Sequence, residues 1–290
     1  MKTKKLFLKS AFALALLSAL MIGCKKEEKE EIDSDTQSSS DNSLAESAFN
    51  DVTSIADQAH EGSLSTFRIL GTDGLLSNCA NIVRQHADST NADTLLITFG
   101  FNNGSNSTVN CLCADGRYRK GTIKVVYTGK YRDSLSTHTL SFNNYFVNDN
   151  QILGGKIVTN LGRNAAGHPR FSVDVNGSIV LANNGGTITW ISNRTREWIA
   201  GYTTFGPGNW NDDVYLISGT ASGTSASGNS FTANITSPLK RSLSCRWFES
   251  GTFDFTPAGK ATRTVDYGAG SCDDQATVTI NGNVYTVTLR

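Results

Sequence analysis

The side chains able to carry chemistry are two adjacent carboxylate pairs, Asp212–Asp213 and Asp273–Asp274, a set of cysteines, isolated histidines, and a run of tryptophans and arginines. Neighbouring residues on a strand point to opposite faces, so neither aspartate pair can share a substrate there; on a loop each is a solvated turn or a calcium ligand set. Glycoside hydrolysis takes two carboxylates about 5–9.5 Å apart across a cleft, and only a fold can assemble them. The chain has no Gly-x-Ser-x-Gly elbow, no His-Glu-x-x-His pair and no phosphate-binding glycine loop, so no cofactor is implied. Cys111-Leu112-Cys113 is too tight for a zinc knuckle, and His60, His86, His138 and His168 stand singly, which argues against a metal site.

The aromatic and basic residues offer a binding surface instead. Trp190, Arg194, Arg196 and Trp198 share one parity along 186–198, with Trp210 in a glycine-rich loop and Trp247 beside Arg246. Tryptophan faces near arginine stack on sugar rings or dock a partner. Against this, Trp190 has the parity of Ile188, which places it in a core, and the arginines can close a barrel end by pairing with Glu197, Glu249 or Asp254.

These residues must be positioned by strands. Alternating segments run over 95–101, 117–129, 136–148, 152–160, 170–182, 186–198, 213–222, 229–238, 243–256, 261–268, 275–281 and 284–289. Asn176-Gly177, Asn184-Gly185 and Asn281-Gly282 read as tight turns, so sequence neighbours should pair antiparallel. Gly121-Thr-Ile-Lys-Val, Gly186-Thr-Ile-Thr-Trp and Gly251-Thr-Phe-Asp-Phe recur at an offset of about 65 residues, with Ile123/Val125, Ile188/Trp190 and Phe253/Phe255 on the core parity. The fold expected is all-β: an antiparallel β-meander forming a large curved sheet, barrel or sandwich. One amphipathic helix precedes it, over about 44–60, with a capping box at Ser43-Leu44-Ala45-Glu46 and an apolar stripe that needs the β-domain as partner. Its polar face holds Glu46, Asp51 and Asp57 and no cation, which disfavours a membrane-surface helix.

The N-terminus sets the address. Lys2, Lys4 and Lys5 precede an apolar run from Ala11 to Ile22, too short to span a bilayer, and Gly23-Cys24 supplies a lipoprotein processing site. Residues 1–23 are then a signal peptide, and Cys24 carries the lipid, palmitate included, that anchors the chain to a membrane. Residues 24–42, charged and polar, read as a disordered tether, and 43–290 as one β-rich domain with its helix. The Lys-then-acidic cluster after Cys24 points to the outer membrane with the domain displayed outward; a plain spacer would leave it facing the periplasm. With 26 basic and 26 acidic side chains there is no field to attract nucleic acid. In an oxidising compartment Cys245 can pair with Cys272, and Cys79 with Cys111 or Cys113.

The stretch Cys113 to Ile123, the run Asn193-Arg194-Thr195-Arg196-Glu197-Trp198, Cys245-Arg246-Trp247 and the ending from Tyr267 to Val278 resemble a group of uncharacterised Bacteroidota lipoproteins over about 43–290. The resemblance implies the anchor and the compartment and brings no reaction. The reading is a lipid-anchored envelope or surface protein acting as a non-enzymatic binding or structural module, with a glycan or another envelope protein as partner. The alternatives are a glycan-active hydrolase using a carboxylate pair and an adhesin-like structural protein.

Overall fold

The computed structural model describes residues 33–64, 76, 80–86, 93–100, 109–129, 133–204 and 210–289, without the side chains of 61–64, His86 and Trp210. The signal peptide, Cys24 and Cys79 lie outside them. Among the described residues the fold is all-β apart from one long helix, as expected. Helix α1 spans Gln37–Leu64, and fourteen strands follow in one sheet: β1 Ala80–His86, β2 Asp93–Phe99, β3 Cys111–Leu112, β4 Tyr118–Tyr127, β5 Thr137–Val147, β6 Asn150–Arg163, β7 Pro169–Val180, β8 Thr187–Ala200, β9 Val214–Thr224, β10 Ser230–Ser242, β11 Ser250–Pro257, β12 Arg263–Ala269, β13 Gln275–Ile280 and β14 Asn283–Thr288. Each pairs antiparallel with the next, except that β2 meets β4 and the two-residue β3 pairs with β4 off the main path. The sheet is curved and open, with β1 and β14 at its two ends.

The alternation predicted for the strands is the alternation of burial. On β8 it places Ile188, Trp190, Ser192, Arg194, Arg196 and Trp198 inward. Ile123, Val125, Phe253 and Phe255 are likewise buried on their strands. The three glycines of the 65-residue offset share positive φ, and a Cβ at any of them would collide with backbone across the ladder. The unit is not a uniform one, since β4 to β8 covers four strand steps and β8 to β11 three. Asn281-Gly282 forms its predicted hairpin turn, both residues at positive φ. Asn176-Gly177 does not. It lies inside β7, where Gly177 faces Gly154 and a Cβ would stand 2.3 Å from the Phe49 ring of α1. The glycine is a notch for the helix.

Strands β1 and β3 were not expected, and two further segments depart from expectation. The strand anticipated over 243–256 starts only at Ser250, because 243–249 curls back: Arg241 Nη1 donates to the carbonyls of Cys245 and Trp247, and Leu243 N bonds Asp213 O at 2.9 Å. The helix begins at Gln37, inside the span read as disordered tether, and Ser43 is not its cap. Its first turn is held by Thr36, whose carbonyl accepts from Ser40 N at 3.1 Å, and by Asp35, which accepts from Gln37 N at 3.0 Å. The polar residues 37–42 are ordered because partners exist for them. Asp41 accepts from Ala226 N at 2.9 Å and from Gln37 Nε2 at 2.7 Å, and Asn42 Oδ1 accepts from Trp190 Nε1 at 3.0 Å.

Candidate functional site

A surface helix shows one apolar stripe to a core and its polar face to water. Helix α1 instead buries its polar residues too: Asp41, Asn42, Glu46, Asp51, Ser54 and Asp57 are all enclosed, alongside Phe49, Val52, Ile55 and Ala59. The sheet supplies what those groups require. Arg194 Nε and Nη2 donate to Glu46 at 3.0 and 2.5 Å. Arg196 reaches Asp57 at 3.3 Å and Ser54 at 3.4 Å while lying over the Tyr215 ring at 3.5 Å. Arg241 donates to Asp51 at 3.0 Å, and Arg117 pairs with the same carboxylate. The match is geometric. From Trp190 to Arg196 is six strand residues, about 20 Å, and from Asn42 to Asp57 is fifteen helical residues, about 22 Å.

Trp190, Arg194, Arg196 and Trp198 therefore do not form an outer surface, which corrects that reading of the four. Trp190 stacks on Phe49 with centroids 5.5 Å apart and planes at 7°. Trp198 is buried, its Nε1 donating to Asp213 at 3.2 Å. The arginines meet helix carboxylates rather than Glu197, Glu249 or Asp254. Glu197 takes His168 at 2.7 Å, Glu249 takes Lys240 at 3.0 Å, and Asp254 takes Thr264 at 2.8 Å. Trp247 is half-buried with Arg246 above its ring at 4.7 Å. Trp210 opens a single 3-10 turn, Trp210–Asp212, and its side chain lies outside the described residues.

The aspartate pairs divide as adjacent residues do. Asp212 accepts from Thr204 at 2.6 Å near the surface, while Asp213 is buried against Trp198 and Tyr215. Asp273 and Asp274 cap their own loop through Gln275, at 2.9 and 2.7 Å. Cys245 and Cys272 form the predicted disulfide, which ties the 243–249 loop to the loop before β13. Cys111 is disulfide-bonded as well, and Cys113 keeps a buried thiol directed at Cys111 O at 3.6 Å.

The surroundings of three ionisable groups were invisible in the sequence pattern. Lys156, inward on β6, is fully buried and donates its Nζ to Phe49 O at 2.5 Å. Burial, and then the Arg196 charge, lower its pKa to about 7 despite the opposing pull of Glu46 and Asp57. His60 of α1 and His138 of β5, solitary in sequence, meet with ring centroids 5.7 Å apart, both beside Tyr127. Burial and the second imidazole push His138 down to about 4.

Along α1 one stripe escapes full enclosure, and it faces a cavity of about 740 Å³, within the usual range for small-molecule sites. Gln37, Leu44, Ser47 and Ala48 form the helix wall, and Val147, Ile152, Ile179 and Leu181 form the sheet wall. The space exists because Ser47 and Ala48 are too small to reach the aliphatic side chains opposite. Asn148, Asn150 and Asn183, from the β5–β6 turn and the start of the β7–β8 turn, edge it, and Arg117 is the one charged wall residue among those described. A second cavity, of about 390 Å³, lies at the opposite end of β6, lined by Asn160, Arg163, Phe171 and Trp198. Among the described residues neither lining contains Asp or Glu.

Among the described residues no helix is long and apolar enough to cross a membrane. Comparison of the chain with known family models, curated proteins and solved structures finds no match.

Proposed function

We propose that the protein is a lipid-anchored, non-enzymatic binding module of the cell envelope, held to the outer membrane through Cys24 and seating its ligand in the cavity beside the N-terminal half of α1. The observation that carries this reading is that cavity: a largely aliphatic chamber with polar groups on its walls and edge, set between the sheet and a helix pinned by buried ion pairs. Catalysis on a glycan would ask for two carboxylates facing one cleft, and the interior carboxylates Glu46, Asp51 and Asp57 are each engaged by arginine. The lysine and acidic residues after Cys24 support display at the cell surface.

Two measurements test it. Wild type is expected in the membrane fraction and Cys24→Ala in the soluble one; membrane-bound Cys24→Ala overturns the anchor. Native mass spectrometry of the Cys24→Ala protein, isolated without detergent, should show a bound small molecule. Ala48→Phe, which fills the chamber from the helix side, should remove it. A mass equal to the bare chain in both samples overturns the binding role.

A further inference from the structure

Near Ser47 of α1, four guanidiniums gather around two carboxylates. Arg117 pairs with Asp51 and donates to Ser47 Oγ at 3.3 Å, and Arg241 holds the other oxygen of Asp51 at 3.0 Å. Arg119 grips Asp115 with both nitrogens, at 2.8 and 2.6 Å. Arg246, over Trp247, is the fourth. Glu249, whose charge also acts on Arg241, is occupied by Lys240 and by Ser242 at 2.7 Å. Burial first, and then the like charges of Arg119, Arg241 and Arg246, press the Arg117 pKa well below its ordinary value. Among the described residues positive charge therefore outweighs negative at this corner, where water screens it weakly. The same Arg117 is the charged wall of the chamber.

We infer that the chamber takes an amphiphilic monoanion, a long-chain carboxylate whose chain lies between Leu44 and Ala48 on one side and Ile152, Ile179 and Leu181 on the other, with its head group at Arg117. The inference rests on the binding role proposed above and names its ligand class. A single carboxylate beside Arg117 adds one negative charge, which offsets the local excess. A sugar is served less well, because no aromatic ring is among the described residues that line this cavity to stack on it. A polyanion would leave most of its charge against those same walls.

The test uses the full chain carrying Cys24→Ala, so that no attached acyl group competes, titrated with a fluorescent long-chain carboxylate and with its methyl ester. The carboxylate should saturate one site, and the ester should bind at least tenfold more weakly. Ala48→Phe should abolish binding of both, and Arg117→Gln should erase the preference between them. The ester comparison needs no substitution, so the test holds even if Arg117→Gln fails to fold. Equal affinity for acid and ester removes the anionic head group and leaves the cavity as a binding site. Binding indifferent to Ala48→Phe puts the ligand elsewhere and overturns the inference. Binding of neither compound overturns the ligand class, while the native mass comparison decides separately whether the chamber holds anything.

Discussion

Replacing Arg194 by methionine strands the Glu46 carboxylate inside the sheet. Both side chains are almost inaccessible, at 4% and 2%, and the guanidinium meets the carboxylate through Nε and Nη2 at 2.5–3.2 Å. Removing one partner of such a pair costs about 3–5 kcal/mol, because the other remains charged and unsolvated. Lys156 is near enough to feel Glu46 and compensates in part, so the lower end, about 3 kcal/mol, is expected. Glu46→Leu alone should cost a similar amount. The double variant Glu46→Leu/Arg194→Met removes both charges and should be more stable than either single one, with a coupling of about 2 kcal/mol or more. Urea unfolding monitored by tryptophan fluorescence gives all four stabilities, provided the slope with denaturant is shared. Single losses below about 1 kcal/mol that simply add would be the behaviour of an exposed pair, and would refute the enclosure of α1 by the sheet.

Lys156→Met should stabilise the protein near neutral pH. The folded pKa of Lys156 is lowered to about 7, so above that pH the unfolded state binds a proton that the folded state does not, and wild-type stability gains up to about 1.4 kcal/mol per pH unit. The advantage of the methionine variant in urea unfolding should therefore shrink by roughly 2 kcal/mol between pH 7 and 9; a constant difference would contradict a buried amine. Gly177→Ala drives a Cβ into Phe49 and the Leu153 carbonyl, and should cost about 1–3 kcal/mol. Adding Phe49→Leu should recover part of that loss, and no recovery would mean that ring and glycine do not touch. Reducing Cys245–Cys272, which closes a loop with a sequence separation of 27, should cost about 3.5 kcal/mol, or roughly ten degrees in melting temperature. Mass spectrometry showing both thiols alkylated without reductant would remove the bond.

Strand order and inward parity were legible because β-structure writes itself locally. Ile188 and Trp190, or Phe253 and Phe255, disclose their face by a period of two that needs no distant information. Strand β1 hides because Ala80-Asn-Ile-Val-Arg-Gln-His86 has no clean alternation, and β3 is too short to show any. Asn176-Gly177 misleads because a dipeptide suited to a turn is used for its missing side chain. The site was read less well. Arg194 and Arg196 look like surface residues, since charged side chains are rarely buried unless paired, and their partners Glu46 and Asp57 stand 148 and 139 residues away. One signal was present: a helix whose polar face is acidic, followed by a strand whose inward parity is basic. The cavity left no trace, because it arises from two small side chains on α1 facing strands more than a hundred residues later.

The most direct test of the binding role is a crystal structure of the protein purified without detergent, examined between Ala48 and Ile152. The account predicts continuous elongated density along the aliphatic walls that ends at Arg117. A chamber containing only separate water molecules, or one collapsed onto α1, would contradict it.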